Sequence, residues 1–131
     1  MMTDEEAYLA LLGHWRLVSC TAHGQDGTTG LPVGSEAVGE IIYTRDGQMT
    51  SQLMSGGGDD PGTLPYHGYF GSFTVDAARG VVTHHVTAAW DRTMVGTDQE
   101  RRFTLDGDRL TLEADRGDWT AHVVWQRFGR D

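Results

Sequence analysis

Three side chains that could do chemistry fall in phase with apolar residues recurring at every second position: His84, Arg101 and Tyr69. Val82, His84, Val86 and Ala88 form one face of a strand-like run, and Thr83, His85, Thr87 and Ala89 form the other. An inward imidazole with an ordinary pKa near ~6.5 accepts or donates a proton around neutrality, which suits a general acid or base. The plainer alternative is a core histidine bonded to a hydroxyl, and a one-residue bulge would exchange His84 with His85. Phe103 and Leu105 set the inward phase of the run 98–106, which carries Gln99 and Arg101 inside. A buried guanidinium is costly unless paired, so Arg101 either anchors a carboxylate, enolate or carbonyl oxygen, or lies at a mouth and bonds loop carbonyls. Tyr69 shares its face with Gly71, Phe73 and Val75 and brings a hydroxyl inside, where most tyrosines merely find a partner.

Around these three the same logic proposes a lining. Asp46-Gly47 reads as a two-residue hairpin turn pairing Tyr43 with Thr50 and Ile41 with Gln52. Placing Ile41, Tyr43, Thr50, Gln52 and Met54 inward spares Glu40 from burial. Phe73, Val86, Gln99, Phe103 and Trp90 complete the expected ligand-facing set. Trp90, Trp119 and Met94, large groups near strand ends, fit a core role better than a ligand shelf.

The elements that must position these residues are mostly strands. Thr3 followed by Asp4, Glu5 and Glu6 supplies an N-cap and an acidic first turn; Tyr8, Leu9, Leu11 and Leu12 give an apolar stripe that Gly13 ends. After that short helix, eight strand-period runs follow at about 14–22, 37–45, 48–55, 68–76, 80–90, 98–106, 108–115 and 119–128. Asp106-Gly107-Asp108 reads as a slightly longer hairpin, and 77–80 and 115–118 as short loops. Successive hairpins build a meander that closes or leaves two sticky edges, and closure is favoured. The expectation is all-β: a single domain over 1–131, an eight-stranded antiparallel up-and-down barrel with an N-terminal helix. The glycine-rich connections 23–36 and 56–67 are either binding loops or plain surface.

Composition excludes several classes. A net charge of −9 repels phosphate backbones and anionic headgroups, against nucleic-acid and membrane partners. All ten basic residues are arginine, so no lysine can form a Schiff base. Cys20 stands alone, which excludes an internal disulfide and a cysteine metal site and points, with an acidic N-terminus unlike a signal peptide, to the cytoplasm. The six histidines show no metal-ligand spacing, so no metal is expected. Gly71-Ser72 and Met54-Ser55-Gly56 lack the strand-elbow-helix setting of an activated serine, and the triple glycine at 56–58 lacks a following GK[ST]. No cofactor is expected.

Gly13-His14-Trp15 at the start of the first strand resembles the glycine-any-tryptophan signature of lipocalins and related calycins. There the tryptophan plugs the closed end of the barrel and an arginine of the last strand packs over it; Arg127, in Trp125-Gln126-Arg127, matches that place. The segments GEIIYTRDGQMTSQLM, YFGSFTVD, GVVTHHV and VGTDQERRFTLDGDRLTL resemble the bacterial and fungal lipocalin-like domain family over nearly the whole chain. The resemblance implies structural roles for Trp15 and Arg127 and an interior that admits one small hydrophobic molecule. It also implies that fold transfers better than chemistry, since many members lie near secondary-metabolite genes without an assigned activity.

Two functions from different classes follow. One is a carrier in which Arg101, Gln99 and Tyr69 orient a small apolar molecule. The other is a cofactor-free cyclase, isomerase or dehydratase in which His84, Arg101 and Tyr69 move a proton or hold an oxyanion. A third option is a fully packed barrel that associates with a partner or with itself, as a homodimer for example.

Overall fold

The computed structural model describes residues 2–34, 36–56 and 65–129. Part of the connection 56–67, including Gly57 and Gly58, lies outside the described residues.

The helix α1 spans Asp4–Leu11. Thr3 Oγ1 accepts from the Glu6 N–H at 3.1 Å and Glu6 Oε1 accepts from the Thr3 N–H at 3.0 Å, so two orphan donors are satisfied reciprocally. Ala7 and Leu11 are buried, and Tyr8 stacks on Phe73 with ring centroids 4.9 Å apart. The helix therefore closes one end of the strand assembly.

Eight long strands form a meander: β1 (Gly13–Gly24), β3 (Val38–Tyr43), β4 (Gln48–Met54), β5 (Tyr66–Asp76), β6 (Val81–Ala89), β7 (Asp98–Asp106), β8 (Arg109–Arg116) and β9 (Trp119–Gly129). Each pairs antiparallel with its neighbour, and β9 returns to pair with β1 from His14↔Gly129 to Gly24↔Trp119, which closes the barrel and removes the sheet edges. Every boundary falls within two residues of the sequence expectation. Two short elements carry no period of their own: β2 (Thr29–Gly30), paired with β1, and a 3₁₀ turn at Arg92–Met94. Asp91 caps that turn, accepting from the Thr93 N–H and hydroxyl, and Met94 is buried beneath it.

Two turns differ from expectation. The β3–β4 loop has three residues, Arg45-Asp46-Gly47: Thr44 N–H donates to the Gln48 carbonyl at 2.9 Å, and Gly47 has a φ of 83°. A type I′ turn needs positive φ at both central residues, and no non-glycine residue among those described has one, so Asp46-Gly47 does not form that turn. The extra loop residue shifts β4 by one, pairing Tyr43 with Met49 and Ile41 with Ser51. Met49, Ser51 and Leu53 therefore point inward, and the expected Thr50, Gln52 and Met54 do not. The 106–108 hairpin is tighter than expected: Asp106 pairs with Arg109, leaving Gly107-Asp108 as a two-residue loop with positive φ at Gly107 only.

A bulge at Thr87 shifts the β5–β6 register between Phe70↔Ala88 and Gly71↔Val86. Gly71 faces it so closely that a Cβ would stand 1.8 Å from the His85 carbonyl oxygen, so only glycine fits. The bulge lies beyond His84, which keeps its inward phase with Val82 and Val86. His85 faces out, bonded to Thr74 Oγ1 and Asp98 at 2.8 Å each.

Candidate functional site

The barrel interior divides in two. Near α1 it is packed solid by Trp15, Tyr43, Phe73, Val82 and Leu110. Toward the opposite end, β1, β8 and β9 turn small residues inward, Cys20, Ala22, Ala114 and Ala121, and a cavity of about 480 Å³ opens. That volume lies within the roughly 300–1,000 Å³ of small-molecule sites. Val33, Ile41, Leu53, Met94, Leu112 and Val123 make most of the wall apolar, and Trp90 and Trp119 stand at the rim. Trp125 is also in the wall; its buried Nε1–H finds no acceptor among the described residues.

One corner is polar. His84 lies between two tyrosines: the Tyr43 hydroxyl is 2.7 Å from Nε2 and the Tyr69 hydroxyl 2.6 Å from Nδ1. Burial, reinforced by the positive charge of Arg101, holds the His84 pKa down at about 3, so the ring is neutral at physiological pH. Burial also raises the Tyr43 hydroxyl well above its ordinary range and raises Tyr69, with Arg101 acting in the opposite sense on both. The three groups are a neutral chain, and a neutral imidazole has one donor and one acceptor nitrogen. Tyr43 is fully buried, with Nε2 as its hydroxyl's partner among the described residues. Satisfying that hydroxyl proton makes Tyr43 the donor to Nε2, and Nδ1–H then donates to the Tyr69 oxygen. The Tyr69 proton is left over for the cavity.

Arg101 enters from β7 beside Tyr69. Its guanidinium donates to Gln99 Oε1 at 3.4 Å and to the Glu100 carbonyl at 3.1 Å, and Gln99 is itself held by Thr97 Oγ1 at 2.8 Å. Arg116 reaches the same cavity from the end of β8; burial and then the charge of Arg101 lower its pKa, although the residue as a whole is exposed at the rim. His67 completes the corner with its ring centroid 5.7 Å from that of Tyr69. Burial, followed by Arg116 and Arg101, lowers its pKa.

The expected site residues are thus only partly brought together. His84, Tyr69 and Arg101 converge on one cavity, with Trp90 at its rim. Tyr43 lies behind His84 rather than in the wall, and Phe73 and Val86 belong to the packed core. Phe103 is half-buried against that core, and Gln99 braces Arg101 from outside the wall. Gln52 and Met54 face outward, the consequence of the β3–β4 turn. Trp90 and Trp119 are not core groups: they are 72% and 40% exposed. Ser51, His67 and Arg116 were missed. The signal for two of them was legible, since Arg116 continues the inward phase of Leu110, Leu112 and Ala114, and His67 that of Tyr69, Gly71 and Phe73. Ser51 was hidden by the register.

At the closed end the Arg127 guanidinium lies 4.1 Å over the Trp15 ring. It donates to the Leu12 carbonyl at 2.7 Å, the Ala10 carbonyl at 2.8 Å and Asp108 at 3.0 Å. The last turn of α1 contains no basic residue, so the last strand supplies the cation that its carbonyls need. Among the described residues no helix is long and apolar enough to cross a membrane, and no cluster of His, Cys, Asp or Glu could hold a metal ion.

Comparison with known proteins agrees with this architecture. A search of curated proteins finds no match. Among solved structures, a de novo designed fluorescence-activating β-barrel superimposes with a TM-score of 0.52 at 13% identity, covering 97% of this chain and 100% of that one, a likeness of fold alone. A family model described as lipocalin-like domain matches residues 12–63 and 61–128, and the chain therefore belongs to the lipocalin-like domain family.

Proposed function

We propose that this barrel binds one small, largely apolar molecule in its interior and orients it by an oxygen placed at the Tyr69–Arg101 corner. The observation that carries the reading is the cavity itself: an apolar chamber of about 480 Å³ with its hydrogen-bonding groups gathered on one side. Ala114→Trp tests it by filling the chamber. Titration with the neutral dye Nile red is expected to saturate near one site per chain in the wild type and to lose at least tenfold in affinity in the variant, with an unchanged circular-dichroism spectrum. Equal binding to both proteins means the dye sits on the surface and the reading is wrong.

The second reading, a cofactor-free isomerase or cyclase, is favoured by one observation. His67 lines the cavity with no hydrogen bond to another described residue, and its lowered pKa keeps a lone pair available at neutral pH. In that reading His67 takes the proton, Tyr69 and Arg101 hold the developing oxyanion, and His84, with both nitrogens occupied, orients Tyr69. On any carbonyl substrate found, His67→Ala is expected to cut kcat by a factor of ~100 or more with little change in affinity. Retained turnover removes His67 from the mechanism.

A further inference from the structure

We infer that the polar corner of the cavity is an anion site, and that the molecule it takes carries a carboxylate, or an oxyanion of like geometry, on an apolar body. The inference rests on the proposed binding function and names the ligand class.

The first argument is charge. The chain carries a net charge of −9, yet its cavity wall holds two guanidiniums, Arg101 and Arg116, against one carboxylate, Asp91. Asp91 is already engaged, accepting from the Thr93 N–H at 3.0 Å and the Thr93 hydroxyl at 2.7 Å. Of the other described arginines, Arg79, Arg102 and Arg127 are paired with Glu100, Asp115 and Asp108, and those without an ion pair, Arg16, Arg45, Arg92 and Arg109, are exposed to solvent and lie outside the cavity wall. Among the described residues neither Arg101 nor Arg116 forms an ion pair. Arg116 feels the charge of Asp91 as well as that of Arg101, so one carboxylate stands against two guanidiniums and the partly desolvated wall keeps an excess of positive charge, an arrangement that costs free energy until an anion enters.

The second argument is hydrogen-bond direction, and it is independent of charge. The chain from Tyr43 through His84 runs toward the cavity and ends on the Tyr69 hydroxyl as a donor. Tyr69 O–H and the guanidinium N–H groups all offer hydrogen, so a group that only accepts suits them: a carboxylate has two acceptor oxygens and no donor, whereas an alcohol has one oxygen and brings a proton of its own. Arg116, close to the rim, serves the outer oxygen and Arg101 with Tyr69 the inner one.

Calorimetric titration at pH 7.5 with two acids of different body, decanoate and 2-naphthoate, each against its methyl ester, tests this; Nile red reports cavity binding in parallel. At least one acid is expected to bind tenfold or more tighter than its ester, about 1.4 kcal/mol. In the double variant Arg101→Gln/Arg116→Gln that preference is expected to vanish while the circular-dichroism spectrum stays that of the wild type, which shows that the barrel is folded. The flexible or the planar body is identified by which acid prevails. Equal affinity for acid and ester in both pairs, with Nile red bound, overturns the anion site and leaves the binding function standing. An acid preference that survives the double variant overturns its assignment to these arginines. Failure of Nile red, acids and esters alike overturns the binding function itself.

Discussion

Replacing Arg127 by methionine is expected to lower the unfolding free energy by about 3–5 kcal/mol and the melting temperature by roughly 10 °C or more. The side chain is only 7% exposed, and it joins three parts of the chain at once: the end of α1, the Trp15 ring and the β7–β8 turn. Methionine keeps much of the packing but leaves the Ala10 and Leu12 carbonyls without this donor and removes the cation from the Trp15 face. Arg127→Lys separates the two losses. A lysine restores a charge but cannot reach two carbonyls and stack as a plane, so it is expected to recover less than half of the deficit in urea unfolding. A loss below about 1 kcal/mol in the methionine variant would mean that Trp15 and the helix hold the closed end without Arg127.

The second large effect is on acid stability, and its sign follows from the buried imidazole. The His84 pKa is about 3 in the folded barrel, against an ordinary 6.5. Between those values the unfolded chain binds a proton that the native state refuses, so stability is full above pH 6.5 and is lost as pH falls toward 3. The slope from this one group approaches about 1.4 kcal/mol per pH unit. His67, also lowered by burial, adds in the same direction, and the lowered carboxyls of Asp26, Asp91 and Asp115 add at more acid pH. His84→Gln isolates the imidazole, because an amide can still meet both tyrosines but does not titrate. Urea unfolding at pH 6.5 and 4.5 is expected to show the wild type losing about 2–3 kcal/mol more than the variant over that interval. Parallel pH profiles would place water or a counter-charge at His84 and undo the account of a neutral chain.

Much of this was legible without coordinates, for reasons that differ from residue to residue. Strand period settled the number and extent of the eight long strands, because one buried face imposes alternation on each of them. Alternation likewise put His84, Tyr69 and Arg101 inside, and it held for His84 because the bulge falls at Thr87, after the histidine. The place of Arg127 over Trp15 came from a resemblance and not from spacing, since nothing local links residues so far apart in sequence.

Tertiary structure decided the rest. A three-residue loop in place of a two-residue turn reversed the faces of β4, exchanging Gln52 and Met54 for Ser51 and Leu53. The cavity exists because small residues on β1, β8 and β9 meet only when the sheet closes, whereas along the chain Cys20, Ala114 and Ala121 carry no signal of their own. The sequence determined a closed barrel with a histidine, a tyrosine and an arginine within it. Only closure determined that the histidine is too deeply buried to titrate near neutrality, and that Arg116, whose inward phase the strand period carried, comes close enough to feel the charge of Arg101, because desolvation and charge proximity are properties of the assembled interior.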